Sequence, residues 1–246
     1  MTSALMECLP WDSRHFGFRI ARARSRRLDI DAYRDLEAAC LDQGIECLYF
    51  LADAADQSTI ENLLSGGFDF VDIRLTFAGR VSDFPPISQS GDVSYRIGKE
   101  GDLAALLPIA GDSFTQSRFF VDRRFGSAKA ARMYQIWLEK SLTTEYADAV
   151  VVAEVAGRAV GFVTCHLREP GDANIGLVGV ADSARGFGCA GGMLSYSAQW
   201  LSERGINDLH VVTQGRNLSA QRLYQRCGMV TRSVKLWFHR WFQSTG

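Results

Sequence analysis

The chain has 246 residues with 27 basic and 28 acidic side chains, 47% apolar and 22% charged content, the composition of an ordinary globular protein with room for one large or two small domains. A formal net charge of -1 argues against a dedicated nucleic-acid binder, which carries a basic excess. No window approaches the ~20 uninterrupted apolar residues that cross a bilayer, and the opening residues lack the basic-then-apolar order of a signal peptide.

The six cysteines (Cys8, Cys40, Cys47, Cys165, Cys189, Cys227) form no CxxC pair, so they read as reduced thiols of a cytoplasmic protein. His15, His166, His210 and His239 show no ligand spacing, and no metal site is expected. Arg22, Arg24, Arg26 and Arg27 form a basic run without interleaved aromatics, which reads as a solvated face.

Along the chain, residues 18–24 alternate as a strand, 31–43 carry helical apolar spacing, and 46–52 read as a strand. A helix follows at 57–65, ended by Gly66-Gly67, and then a strand at 68–79. Residues 82–92, rich in Pro, Gly, Ser and Asp, mark a linker. They predict a division into a lobe at 1–82 and a domain at 92–246. The second part reads as a strand at 93–97 and helices near 102–111 and 127–142. Strands at 149–155 and 159–168 are joined by a turn at Gly157-Arg158. A strand at 174–181, a glycine-rich loop and a helix reaching about residue 203 come next. Strand 209–213, helix 217–226 ended by Gly228, and strand 230–240 complete an α+β pattern of sequential strands with helices laid across them.

A shift of 161 residues superimposes Gly44-Ile45 on Gly205-Ile206, Leu48 on Leu209, Ser58 on Ser219, Gly67 on Gly228 and Phe77 on Phe238 without a gap. A strand–helix–Gly–strand unit therefore occurs twice. The copies differ in chemistry: the first has no glycine-rich loop, and Leu63 stands where the second has Tyr224.

Arg185-Gly186-Phe187-Gly188-Cys189-Ala190-Gly191 lies between a strand and a helix. Glycines there let a main chain approach an anion, and the helix start offers unpaired N–H groups and a positive dipole end. That combination suits a phosphate or pyrophosphate. The loop matches G-x-G-x-x-G, the dinucleotide fingerprint, yet the next strand runs into Gln214-Gly215-Arg216 instead of the acidic residue that would hold a ribose. Hydride transfer is therefore disfavoured.

The same residues read as Arg/Gln-x-x-Gly-x-Gly/Ala through Arg185, Gly188 and Ala190, and here the chain resembles the GNAT (Gcn5-related N-acetyltransferase) superfamily. Residues 177–180 look like that family's fourth strand, and 211–229 match its strand–Asn–helix–Tyr–Gly signature. The resemblance implies a GNAT fold, a mixed, mostly antiparallel sheet flanked by helices, with an incomplete GNAT-like lobe at the N-terminus. It implies acetyl-CoA as co-substrate, with Val178, Val180, Arg185, Gly186, Phe187, Gly188, Cys189, Ala190, Gly191, Asn217 and Ala220 as its contacts. A main-chain N–H of Val178 or Val180 would polarise the thioester carbonyl.

Residues 10–17, 114–119 and 137–141 look like GNAT members that acetylate the amino group of a nucleotide-linked amino sugar of the dTDP-4-amino-4,6-dideoxyhexose type. Other amine acceptors, such as a protein N-terminus, a polyamine or an antibiotic, stay open, as does an acyl-CoA-binding protein without turnover. The family often forms homodimers.

Tyr224, seven residues after Asn217, is the expected general acid, since a phenol of pKa ~10 donates to a thiolate of similar basicity; the alternative is a core aromatic near a helix end. Ser117 and Arg118 are candidates for the acceptor site; the guanidinium fork suits a diphosphate or sugar oxygen, the alternative being a helix-terminal salt bridge. His166 either faces the acceptor or is a satisfied core histidine. Cys189 and Cys227 read as small packing residues, which favours direct transfer over a covalent enzyme intermediate.

Overall fold

The computed structural model describes residues 5–87, 93–144, 146–168 and 171–242. They form strands β1 (Met6–Cys8), β2 (Ile20–Ala23), β3 (Cys47–Asp53), β4 (Asp69–Arg80), β5 (Val93–Ile97), β6 (Ala149–Val155), β7 (Arg158–Arg168), β8 (Asp172–Val180), β9 (Asp208–Gln214) and β10 (Val230–Trp241). The helices are α1 (Pro10–Phe16), α2 (Ile30–Asp42), α3 (Gln57–Ser65), α4 (Leu103–Ser113), α5 (Arg118–Val121), α6 (Ser127–Thr143), α7 (Cys189–Ser202) and α8 (Leu218–Arg226). Residues 88–92 of the predicted linker lie outside the described residues.

Two compact units are present. One comprises the described residues up to Arg74, Ser117–Lys129 and those from Val234 onward; the other comprises Leu75–Gln116 and Ala130–Ser233. The single cut predicted at 82–92 does not describe this partition. β10 returns late in the chain to pair antiparallel with β3, from Lys235 opposite Asp53 to Trp241 opposite Cys47, and that pairing places the last strand with the early residues.

In the first unit, β2 pairs antiparallel with β1 and parallel with β3. In the second, β5, β6, β7 and β8 pair antiparallel in succession, and β8 pairs parallel with β9. The sheet is thus mixed and mostly antiparallel, as expected.

Under the 161-residue shift, β3, α3 and β4 fall on β9, α8 and β10 with every boundary coincident. Local chemistry explains the match. Asp56 caps α3 by accepting the Thr59 N–H, and Asn217 caps α8 by accepting the Ala220 N–H. Each helix ends before a glycine in the left-handed region, Gly67 (φ 73°) and Gly228 (φ 82°). The β6–β7 turn differs by one residue from the predicted one. Its central residues are Ala156 (φ 48°) and Gly157 (φ 77°), the two left-handed positions of a two-residue hairpin, so Arg158 already belongs to β7.

In the second unit, α7 buries Met193, Leu194, Ala198 and Leu201 in a core with Val151, Val163, Ile175, Leu209 and Val211. Gly192 faces the Tyr95 ring so closely that a Cβ would overlap it, which fixes α7 against β5. The first unit has an apolar core around Leu36, Leu48, Leu63 and Phe238.

A polar network also lies in the first unit. His239, 0% exposed, donates Nδ1–H to Asp122 Oδ2 at 2.8 Å and accepts from Arg118 Nη1 at 2.8 Å. Asp122 also receives Trp241 Nε1–H and the Arg124 guanidinium. Arg118 stacks over Tyr49, Phe119 and Trp237 at 4.0, 4.1 and 4.5 Å. No carboxylate pairs with it among the described residues, so the helix-terminal salt bridge offered as the alternative from sequence is not formed. The pattern was visible as Trp237, His239 and Trp241 alternating on one strand, with Asp122 far away in sequence.

Burial lowers the His239 pKa to about 4, against the opposing pull of Asp122. Burial would raise Asp122, but its hydrogen bonds from His239, Arg124 and Trp241 hold it well below the usual carboxylate range. A histidine depressed in the folded state contributes stability above its unfolded pKa of ~6.5 and loses it as pH falls toward 4. Stability should drop by roughly 3 kcal/mol across that window, read as a lower urea midpoint at pH 4.5 than at pH 7. His239→Gln should flatten the dependence.

Candidate active site

The glycine-rich loop joins β8 to α7. Gly186 and Gly188 lie in the left-handed region (φ 86° and 77°), and a Cβ built on either meets open space. Gly188 is the N-cap of α7 and provides no side-chain cap, so the first-turn amides of Cys189, Ala190 and Gly191 face outward from the helix start. Phe187 is 69% exposed. Arg185 pairs with Asp182 at 2.8 Å, and both side chains are well exposed. A main-chain cradle with open volume beside two glycines and an uncapped 14-residue helix fits a diphosphate.

Upstream, β8 and β9 part. Their parallel register runs from Asp172 opposite Asp208 to Ile175 opposite Val211, while β8 continues to Val180 and β9 to Gln214. At the same place β8 carries a bulge against β7. Val163 faces Val178 and Cys165 faces Ile175, so Gly176 and Leu177 together oppose Thr164. The Leu177 N–H bonds Thr164 Oγ1 at 2.9 Å and the Ala181 N–H bonds the Val160 carbonyl at 2.8 Å, both toward β7. Amides alternate along a strand, so those of Val178 and Val180 point the other way, into the gap left by β9.

Tyr224 is 4% exposed and packs on Phe77 with ring centroids 5.6 Å apart. Its hydroxyl makes no hydrogen bond among the described residues. Burial, with Cys227 nearby, pushes the phenol well above its ordinary value, so it stays protonated throughout the neutral range. Asn217 Oδ1 accepts from the Ala220 N–H at 3.1 Å and the Ser219 hydroxyl at 2.9 Å. Capping thus engages the Ala220 amide and the Asn217 oxygen, leaving Asn217 Nδ2 as the donor available to a ligand.

Three predicted residues have surroundings that the sequence did not specify. Ser117 is 3% exposed, with its hydroxyl buried and without a partner among the described residues; it faces the interior and presents no surface to an acceptor. Arg118 belongs to the aromatic cage described above. The His166 Nε2 lies 3.2 Å from Thr164 Oγ1, and burial lowers its pKa, the surroundings of a satisfied histidine. Cys189 and Cys227 are 2% and 3% exposed. Burial raises both thiols, which disfavours the nucleophilic thiolate. Among the described residues, no helix is long and apolar enough to cross a membrane.

Comparison with known proteins agrees with this geometry. Residues 115–229 match the acetyltransferase (GNAT) family. The chain is 26% identical over 188 residues to a dTDP-fucosamine acetyltransferase of Escherichia coli O6:H1, covering 76% of this chain and 78% of that one. It is 27% identical over 141 residues to the spore coat polysaccharide biosynthesis protein SpsD of Bacillus subtilis, covering 57% of this chain and 48% of that relative. A GCN5-related N-acetyltransferase from Sphaerobacter thermophilus shares the fold at TM-score 0.67 and 17% identity, over 96% of this chain and 76% of that one. The glycine-rich loop, the parted strands and the signature tyrosine all lie inside the stretch that matches the acetyltransferase (GNAT) family, and these similarities support an N-acetyltransferase.

Proposed function

We infer that the protein transfers acetyl from acetyl-CoA to the amino group of a nucleotide-linked amino sugar of the dTDP-4-amino-4,6-dideoxyhexose type, directly and without an acyl-enzyme. The carrying observation is the continuity of the glycine cradle, the uncapped α7 start and the outward amides of Val178 and Val180 in one unit. Similarity to a dTDP-fucosamine acetyltransferase over three quarters of the chain supports the acceptor class.

Acetyl-CoA, when bound, supplies an activated thioester. The amides of residues 186–191 would hold its diphosphate, and Arg185, Phe187 and the small side chains of Cys189 and Ala190 would frame it. Asn217 Nδ2 and the Ala220 methyl would meet the pantetheine arm. A Val178 or Val180 N–H would stabilise negative charge as it develops on the carbonyl oxygen, the largest single term in many acyl transfers. Tyr224 would deliver its proton to the departing sulfur. In the other unit, Arg118 is held rigid by its three rings, and the guanidinium edge left over from His239 suits a phosphate oxygen. A homodimer is compatible with this reading.

The acceptor is tested by thiol release with dTDP-amino sugars, polyamines, aminoglycosides and peptides. Turnover with the sugar nucleotides is expected; turnover with peptides alone overturns the sugar reading, and coenzyme binding without thiol release from any acceptor overturns catalysis. Tyr224→Phe should lower kcat by roughly 10²–10⁴ while leaving acetyl-CoA affinity within about twofold by calorimetry. Gly188→Val projects a branched side chain into open space where the diphosphate lies. Acetyl-CoA affinity should fall by more than about tenfold, beyond the ~1–2 kcal/mol backbone penalty of a left-handed non-glycine residue that thermal unfolding reports separately.

A further inference from the structure

Resting on the transfer reading, we propose that Thr164 and His166 are positioning residues: they hold the β8 bulge by its Leu177 amide and so aim the Val178 amide into the gap where the thioester carbonyl lies.

A bulge leaves part of the ladder without its regular partner. Here the amide concerned is that of Leu177, and it is satisfied by a side chain, Thr164 Oγ1, at 2.9 Å. Thr164 is 0% exposed, so its own hydrogen also requires an acceptor. His166 Nε2 stands 3.2 Å away. A neutral imidazole with an unprotonated Nε2 accepts that hydrogen. The order of donation is then Leu177 N–H to Thr164 and Thr164 O–H to His166. Burial favours the neutral ring that this order needs.

Gly176 closes the arrangement. A Cβ at that position would lie 2.5 Å from His166 Nε2 and 2.7 Å from Thr164 Oγ1, so the bulge settles onto the pair only because residue 176 has no side chain. The inserted residue also sets parity. It turns the Leu177 amide toward β7 and, by alternation, the Val178 and Val180 amides toward the gap. A slip of one residue would reverse every amide. The two side chains thus act on the carbonyl only through main-chain direction.

The test combines amide hydrogen exchange at Leu177 and Val178 with steady-state kinetics on the full chain. Thr164→Val keeps the shape and removes the hydroxyl. Exchange at Leu177 should accelerate at least about tenfold and kcat should fall about 10- to 100-fold, the scale of a small misplacement of a reacting group, with acetyl-CoA affinity unchanged. Thr164→Ser should restore both. His166 is half-buried, so His166→Ala should fold even where the valine variant does not, and it should move both readouts in the same direction. A kcat within twofold of wild type in Thr164→Val or His166→Ala, a serine variant that restores nothing, or coenzyme affinity falling in parallel with kcat overturns the proposal. A wild-type protein that binds acetyl-CoA but releases thiol with none of the acceptors sinks the transfer reading instead, and unaltered exchange in the variants sinks the pin independently of activity.

Discussion

The separation of β8 from β9 beyond Ile175 and Val211 is the constraint on which the site depends. Parallel strands normally close their amides in a ladder, and a buried amide without a partner costs about 1–3 kcal/mol. β8 stays bound to β7 on one side as far as Val180, so its other edge is an internal sheet edge. Such an edge must be met by solvent or by an added extended segment. A pantetheine arm carries amides of its own and is a suitable occupant. The glycine loop follows directly at the end of the same strand, so one piece of chain could address both the reactive and the anionic ends of a coenzyme.

The two copies of the strand–helix–strand segment show how little must change to give or remove this chemistry. They share every boundary under the 161-residue shift, and even the caps correspond, with Ser58 bonding Asp56 and Ser219 bonding Asn217 at 2.9 Å. Yet Leu63, fully buried, stands where Tyr224 stands. The first unit's α2 begins with Asp29, whose carboxylate accepts the Ala32 amide, and carries Asp31 in its first turn. That helix start is already capped and negatively charged, which repels an anion. In α7 the N-cap is glycine. Two shared scaffolds thus present opposite electrostatic faces at comparable helix ends.

Periodicity made most of the fold legible. The α3, β5 and β6 boundaries were read to the residue, and most other elements fell within two or three residues, because apolar spacing, capping Asp or Asn and terminal glycines agreed locally. α1, α5 and β1 were missed: seven, four and three residues respectively are too few to establish a period. The partition of the chain was misread because it depends on β10 pairing with β3, a contact separated by more than 180 residues that no linker composition reveals. In the site, the loop and Tyr224 were legible as motifs. The roles of Ala220, Asn217, Ser117 and His166 were not, because each depends on a specific partner atom: a cap, an interior pocket or the Thr164 hydroxyl.

Charge at the loop also favours a main-chain grip. Arg185, which the motif assigns to the diphosphate, is paired with Asp182 at 2.8 Å where both side chains are exposed. An exposed pair of this kind contributes about 0–1 kcal/mol, so it is easily exchanged. A diphosphate carries more negative charge than one carboxylate, and at similar separation it attracts the guanidinium more strongly. Asp182 would then stand close to the anion and oppose it. The guanidinium and the carboxylate largely offset each other, leaving the oriented amides of Gly186 to Gly191 and the positive end of α7 as the uncompensated attraction. Affinity for the coenzyme should therefore depend more on the backbone conformation of Gly186 and Gly188 than on the charge of Arg185.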